Sequence, residues 1–157
     1  MSFRKEEDPK DIQEEGPNTM LIARCYIHDK EGRILLLHRN PNKKYNPDKW
    51  ELPGGKVERW QDFHQAVHDE ILGETGFNVA ITDPFAPFLI SKQIIEGPYA
   101  GKFYLEHVFD AALKSGKFRL SPDHQDFIWH HPEEALDLDL SPEARKAITH
   151  HMGLILD

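Results

Sequence analysis

The sequence predicts one domain of the α/β or α+β class, with helices packed on a mixed β-sheet. The first observation is the order of its patterns, which runs from strands to a helix, to further strands and then to short helices. Such an order is typical of layered folds in which helices cover a sheet. The second is size: 157 residues, 39% of them hydrophobic, suffice for one core without disulfides. We expect residues 1–17, rich in charge, to form a tail or edge segment, and residues 18–157 to form the single domain.

Strand patterns dominate the first third of the chain. Residues 19–28 (TMLIARCYIH) read as a strand, and residues 33–39 read as its hairpin partner, because the DKEG between them has turn chemistry. Residues 40–49, with two prolines and three asparagines, predict a loop. Residues 50–52 predict a short strand, which the following Pro-Gly-Gly ends.

A helix is predicted over residues 61–75. Phe63, Ala66, Val67 and Ile71 recur at spacings of three and four, which places them on one face. Gly76 supplies the residue type that commonly ends a helix.

The second half of the chain predicts more strands and two helices. Strands are expected within residues 77–95, over residues 102–114, with Ser115-Gly116 as a turn, and over residues 126–129. A short helix is expected over residues 132–136. The last helix opens at Ser141-Pro142, since serine is a common N-cap and proline suits the first turn.

Charge and composition exclude several function classes. The formal net charge of −8 disfavours binding to a nucleic acid polymer. It would also repel a phosphate-bearing small molecule unless the site held a metal ion or a local cluster of cations. No long apolar run or secretory pattern is present, and the single cysteine, Cys25, permits no intrachain disulfide. These observations predict a cytoplasmic protein with no membrane partner.

The segment that carries chemistry is residues 53–77, PGGKVERWQDFHQAVHDEILGETGF. Gly54 and Gly55 precede a helix on which Glu70 and Glu74 lie four residues apart, on one face. Two carboxylates beside a glycine turn suit a hard cation such as Mg²⁺, which can bridge to phosphates and activate a water. The alternative is that these glutamates form an ordinary solvated helix face.

The same segment resembles the signature of the Nudix (MutT-like) hydrolase family, G-x5-E-x7-R-E-U-x-E-E-x-G-U, where U is a bulky aliphatic residue. Without gaps, the matching positions are Gly55, Glu70, Ile71, Glu74 and Gly76, and the aromatic Phe77 takes the last U. The resemblance implies the Nudix fold, an α/β/α sandwich. It also implies a nucleotide pyrophosphatase, which hydrolyses a nucleoside diphosphate linked to another moiety.

Three positions depart from the signature. Gln61 replaces the first glutamate, Asp69 the arginine and Gly73 the middle glutamate. In the family the arginine helps to hold a catalytic glutamate, whereas an aspartate beside Glu70 raises the pKa of that neighbour. Gly73 removes a candidate ligand and weakens the helix by about 1 kcal/mol. Two functions therefore stay open: a working hydrolase, and a catalytically weakened nucleotide-binding or sensor protein.

The resemblance also implies roles for individual residues, each of which has an ordinary surface charge as its alternative. Mg²⁺ or Mn²⁺ would be held by Glu70, Glu74 and the Gly54 carbonyl, while Glu70 orients or deprotonates the water and Lys56 stabilises developing charge. Gly55 and Lys56 are the expected substrate-binding residues of this segment, and Arg24 and Arg39 are the expected local cations for an anionic substrate. The candidate sources of an additional acid are Glu58, Glu106, Asp123 and Asp126.

The substrate is expected to be a small nucleotide whose base and linked group are recognised by variable loops, around residues 40–48 and 83–101. Candidate stacking partners for the base are Tyr45, Trp50, Phe88 and Tyr104, with core packing as the alternative. A homodimer is common in the family, and the sequence leaves the oligomeric state of this chain open.

Overall fold

The computed structural model describes residues 18–58 and 62–153, and within these ranges it contains one eight-stranded sheet and three helices. The strands are β1 (Thr19–His28), β2 (Ile34–Arg39), β3 (Trp50–Glu51), β4 (Gly54–Lys56), β5 (Phe77–Ile81), β6 (Phe88–Gln93), β7 (Phe103–Gly116) and β8 (His124–His130). The helices are α1 (Phe63–Thr75), α2 (Pro132–Ala135) and α3 (Pro142–His151). The expected tail over residues 1–17 and the departure at Gln61 lie outside the described residues.

The sheet is mixed. Its central order is β3-β2-β1-β7-β5, with β4 paired to β1, β6 to β7 and β8 to β2. Strands β1 and β7 are parallel from Thr19↔Phe103 to His28↔Ala112, and the other strand pairs are antiparallel. The predicted hairpin between β1 and β2 is confirmed at His28↔Ile34. Beyond that residue pair, β1 pairs with β4 and β2 pairs with β8.

Helices cover both faces of the sheet, which confirms the predicted α/β/α sandwich. Helix α1 buries Val67 and Ile71 against Phe109 of β7 on one face. Helices α2 and α3 cover the other face, where Ile148 joins a cluster with Leu36 of β2. Side chains alternate between the two faces along each strand, so β1, β2 and β7 contribute to both cores. None of the helices among the described residues is long and apolar enough to cross a membrane.

Helix α1 is fixed at both ends by local chemistry. Asp62 is its N-cap and accepts a hydrogen bond from the Gln65 amide at 3.0 Å. Gly76 ends it in the left-handed conformation, with φ of 79°, and donates its amide to the Leu72 carbonyl at 2.8 Å. The predicted C-terminal end of the helix is confirmed.

Two glycine-containing segments are strands where the sequence predicted turns. Ser115 and Gly116 continue β7 and pair with β5. A Cβ at position 116 would lie 2.3 Å from the Gly76 carbonyl oxygen, so this close pairing requires glycine. Gly54 begins β4, with φ of 143°, and a Cβ there would lie 2.2 Å from the Ala23 carbonyl oxygen. Both glycines therefore permit close approach of two backbones rather than a reversal of the chain.

Candidate active site

A cavity of about 680 Å³ opens where β1, β4 and α1 meet the loops that follow β2 and β7. It brings together most of the residues that the sequence singled out. Residues 53–77 contribute Gly54, Gly55, Lys56, Glu70 and Glu74 to its lining. Other segments contribute Arg24, Arg39, Lys43, Lys44, Tyr45, Tyr99, Tyr104 and Asp123. Basic and acidic side chains thus line the same cavity, as the binding of a phosphate group together with a cation requires.

Glu74 is held against Gly54, the first residue of β4. It is partly buried, and its Oε1 accepts a hydrogen bond from the Gly54 amide at 2.9 Å. Burial raises the pKa of this carboxyl to about 8, and the nearby charges of Glu51 and Glu70 act in the same direction. The Gly54 amide and Arg24 oppose the shift. Without a cation beside it, Glu74 therefore favours its protonated form at neutral pH.

Glu70 lies one turn earlier on α1 and faces Gly55. A Cβ at position 55 would lie 2.8 Å from Glu70 Oε2, so any side chain there would displace the carboxylate. Burial raises the pKa of Glu70, Glu58 and Asp69 add to the rise, and Arg24 opposes it. The absence of a side chain at Gly55 thus leaves room for the Glu70 carboxylate beside β4.

Asp69, at the arginine position of the signature, is exposed and accepts a hydrogen bond from Gln65 Nε2 at 3.0 Å. Its electrostatic effect on Glu70 is the one expected of a like charge.

A buried carboxylate that the sequence did not predict, Glu51, organises the cations of the site. It is 3% exposed and lies 3.3 Å from Arg24 Nη2, 3.1 Å from Arg39 Nη1 and 2.9 Å from His124 Nε2. Burial acts to raise the pKa of Glu51, but Arg24, His124 and Arg39 outweigh burial and hold it below its ordinary value. The strand position of Glu51 directly before Leu-Pro-Gly-Gly was a local signal, whereas nothing local marked His124.

Arg24 is held by more than one carboxylate. Its Nε donates to Glu106 Oε1 at 3.1 Å and its Nη1 donates to the Leu52 carbonyl at 2.9 Å. Burial acts to lower the pKa of Arg24, but Glu51 and Glu106 raise it well above the ordinary value. Arg39 is less fully engaged, because its buried Nε has no hydrogen-bond partner within the described part of the chain. Of the two arginines, Arg39 keeps more capacity for an anionic ligand.

The four candidate sources of a further acid separate in the structure. Asp123 lines a hollow of about 240 Å³ together with Glu70, Gly73 and Glu74, and it accepts a hydrogen bond from Lys43 Nζ at 2.9 Å. A Cβ at Gly73 would meet nothing within 4 Å, so the space of the missing glutamate is open.

The other three acids lie elsewhere. Glu106 is fully buried, bonded to Arg24 and the Tyr104 hydroxyl. Asp126 is exposed and accepts from the Phe127 amide at 2.8 Å. Glu58 is close enough to Glu70 to raise its pKa, but it is absent from the residues that line the cavity.

The donors present suit a hydrated hard cation better than a fully protein-coordinated one. Within residues 18–58 and 62–153, no three His, Cys, Asp or Glu side chains converge as a metal site. Two carboxylates, Glu70 and Glu74, do meet at the cavity, and Mg²⁺ commonly keeps several waters beside one or two carboxylates. The Gly54 carbonyl, a predicted ligand, lies 3.5 Å from Arg24 Nη1 and so already has a cationic neighbour.

The comparison with known protein families agrees with this fold and site. The sequence profile of the NUDIX domain matches residues 19–151, which is most of the chain. The chain therefore belongs to the Nudix hydrolase family, whose members act on nucleoside diphosphate derivatives.

Curated relatives and solved structures support the same assignment. The chain is 26% identical over 129 residues to proteins named nucleoside triphosphatase NudI from Escherichia coli (strain SE11) and Shigella sonnei, covering 79% of this chain and 91% of each relative. A MutT protein from Methanosarcina mazei Go1 superposes with a TM-score of 0.72 at 26% identity, covering 88% of this chain and 95% of that one. A MutT NUDIX hydrolase from Burkholderia pseudomallei gives 0.68 at 26% identity, covering 83% and 95%.

Proposed function

We propose that the protein is a Mg²⁺- or Mn²⁺-dependent hydrolase of a nucleoside diphosphate linked to another moiety. The observation that carries the proposal is the meeting of Glu70 and Glu74 with Gly54 and Gly55 of β4 at a cavity that Arg39 and Lys56 also line. An acidic protein needs such a local arrangement to accept a phosphate-bearing substrate.

Glu70 and Glu74 would hold the cation, which when bound polarises a phosphate oxygen and makes water a better nucleophile. Because Glu70 is the less enclosed by its surroundings, it also orients the attacking water and accepts its proton. The water oxygen forms a bond to phosphorus, and the bond from that phosphorus to the bridging oxygen breaks. The leaving phosphate carries away the bridging oxygen and its electron pair.

The basic residues bind the diphosphate. Lys56 directly follows Gly55 in β4 and is exposed, so its ammonium group reaches the charge that develops on the leaving phosphate. Arg39 lines the cavity and binds Glu51 through its Nη1, and the rest of its guanidinium group binds a phosphate oxygen. Arg24 fixes the floor of the cavity by its ion pairs and adds positive potential, and Gly55 allows close approach of the backbone to phosphate.

Asp123 is the best-supported source of the acid that Gly73 lacks. It comes from the loop before β8 and lines the hollow that the absent side chain would fill. The hydrogen bond from Lys43 makes the largest contribution to lowering the pKa of Asp123, so this carboxyl stays ionised. We therefore assign it a supporting role for the cation, through water, rather than the role of a third direct ligand.

A second candidate function is nucleotide binding with weak or absent turnover. It is favoured by Asp69, which adds negative charge beside Glu70 where the family has arginine, and by the empty position at Gly73. A further proposal concerns the partners: small nucleotides rather than nucleic acid polymers, in a cytoplasmic protein that forms a homodimer.

Incubation of the pure protein with a panel of substrates tests the choice between hydrolase and binding protein. The panel contains ADP-ribose, dinucleoside polyphosphates, nucleoside triphosphates and nucleotide sugars, each with Mg²⁺, with Mn²⁺ and with EDTA. We expect metal-dependent release of a nucleoside phosphate from at least one class. If the folded protein turns over none of them, the hydrolase proposal is wrong and the binding function takes its place.

A further inference from the structure

The loop between β2 and β3, residues 40–49, builds one wall of the cavity and carries Tyr45. The Tyr45 ring lies 5.5 Å from the ring of Tyr104, between centroids, and remains partly exposed. Together with Tyr99, it lines both the main cavity and a neighbouring hollow of about 450 Å³. An aromatic ring with exposed surface at a nucleotide-sized cavity is suited to stacking against a base.

This loop is tied to the last helix by one buried carboxylate. Glu143, the second residue of α3, is 3% exposed. Its Oε1 accepts a hydrogen bond from Asn46 Nδ2 at 2.7 Å, and its Oε2 accepts one from Lys92 Nζ at 2.5 Å. Both oxygens of the carboxylate are therefore used, one by the loop and one by β6.

Lys92 carries the connection to the tyrosines. Its ammonium group lies 5.4 Å from the centroid of the Tyr45 ring and 5.5 Å from that of Tyr104, within the range of a cation–π contact. Because Glu143 already neutralises Lys92, this lysine is poorly placed as a phosphate ligand. Its contacts instead fix where the Tyr45 ring lies.

The loop has two residues in the left-handed region. Asn46 and Asp48 have φ angles of 48° and 62°, a region that asparagine and aspartate adopt more readily than other residues with side chains. Such backbone persists where surrounding contacts hold it. The bond from Asn46 to Glu143 is one of those contacts, and Asn46 is the residue directly after Tyr45.

We propose that Glu143 is a positioning residue for substrate recognition, which holds Tyr45, through Asn46 and Lys92, where its ring stacks against the base of the nucleotide. This inference rests on the nucleotide substrate of the proposed function, but not on turnover. It assigns the binding of the base to contacts outside the Nudix signature, on a loop and a helix that lie 97 residues apart in sequence.

Equilibrium binding of nucleoside monophosphates tests the inference. The probes are AMP, GMP, CMP and UMP, with inorganic pyrophosphate as the ligand that has no base. We expect Tyr45→Ala and Glu143→Ala each to weaken the best-bound nucleotide by about tenfold, the scale of one base–aromatic stack, and to leave the pyrophosphate Kd unchanged. Tyr45→Phe keeps the ring and should keep the affinity.

A double variant separates positioning from an independent effect. If Glu143 acts through Tyr45, then Glu143→Ala weakens nucleotide binding no further when Tyr45 is already alanine. Asp139→Ala is the matched control, since it removes an exposed ion pair, 2.8 Å from Lys49, at the end of the same loop. That control should bind nucleotides as the wild type does.

Several results would overturn the inference. These are no preference for any nucleotide over pyrophosphate, additive losses in the double variant, or equal losses for nucleotide and pyrophosphate. Thermal unfolding of each variant checks the fold. If Glu143→Ala does not fold, Glu143→Gln replaces it in the cycle, because it removes the ion pair with Lys92 and keeps an acceptor for Asn46. Its loss of nucleotide affinity should be smaller than that of Tyr45→Ala and should again vanish when Tyr45 is already alanine. Failure of hydrolysis with base-dependent binding intact would count against the proposed enzyme alone, whereas turnover with unchanged nucleotide affinity in Tyr45→Ala would count against this inference alone.

Discussion

Replacement of Glu74 by glutamine should remove most of a pH-dependent loss of stability in the metal-free protein. The pKa of Glu74 is raised from 4.5 to about 8 in the folded state. The folded protein therefore binds this proton more tightly than the unfolded chain does, and the free energy of unfolding falls as the pH rises from 4.5 towards 8. The contribution is fully present below pH 4.5 and is lost as the pH passes the folded-state pKa.

The magnitude follows from the size of that shift. A shift of this size corresponds to at most roughly 5 kcal/mol, and the part of the side chain that faces solvent reduces this to a few kcal/mol. Glutamine has nearly the same shape and its Oε1 can still accept the Gly54 amide, so Glu74→Gln removes the titration but keeps the hydrogen bond.

Urea unfolding in EDTA at intervals from pH 5 to pH 8.5 measures this difference. The wild-type free energy of unfolding should fall with pH by a few kcal/mol more than that of Glu74→Gln. Glu133→Gln, which changes an exposed glutamate of α2, is the control and should follow the wild type. Parallel curves for wild type and Glu74→Gln would refute the reasoning about this buried acid.

Four further variants have expected outcomes. Gly73→Ala should raise the free energy of unfolding by about 1 kcal/mol in urea, because the site is open and alanine favours a helix, whereas Gly54→Ala should prevent folding, since its Cβ would meet the Ala23 carbonyl oxygen at 2.2 Å. Asp69→Arg combined with Gly73→Glu should raise metal-dependent kcat by about tenfold, roughly 1.4 kcal/mol in the barrier, and an unchanged kcat would show that these departures do not limit the enzyme. Glu51→Gln should cost about 3 kcal/mol in urea unfolding, because it leaves two partly buried arginines without their shared counter-charge, and a loss below about 1 kcal/mol would contradict that role.

The parts of the site that the sequence could predict are those set by local geometry. Helical spacing places Glu70 and Glu74 on one face, and Gly76 ends α1 at the expected residue. The fixed number of residues between Gly55 and Glu70 in the signature then predicts that the two carboxylates lie close to the backbone of Gly54 and Gly55. The positions of the β1, β2 and β7 strands likewise follow from their apolar patterns.

The parts that escaped prediction depend on contacts between distant segments. Glu51 binds His124 across 73 residues, and Glu143 binds Asn46 across 97. The position of Glu51 before Leu-Pro-Gly-Gly marks it as close to the site, but no local pattern identifies the partners of either acid. Gly116 shows the same limit at the backbone. A glycine permits a turn or a close approach equally well, and the neighbouring Gly76 backbone that decides between them belongs to another element.

The most direct measurement for the central claim is the metal-dependent kcat of Glu70→Gln on the substrate that the wild type turns over fastest. Glutamine at position 70 can neither bind the cation as a carboxylate nor accept the proton of the attacking water. The account predicts a fall of at least about 100-fold, roughly 2.7 kcal/mol in the barrier, with Glu133→Gln at the wild-type rate and both variants folded. A kcat for Glu70→Gln equal to that of the wild type would contradict the assignment of this cavity as a metal-dependent hydrolase site.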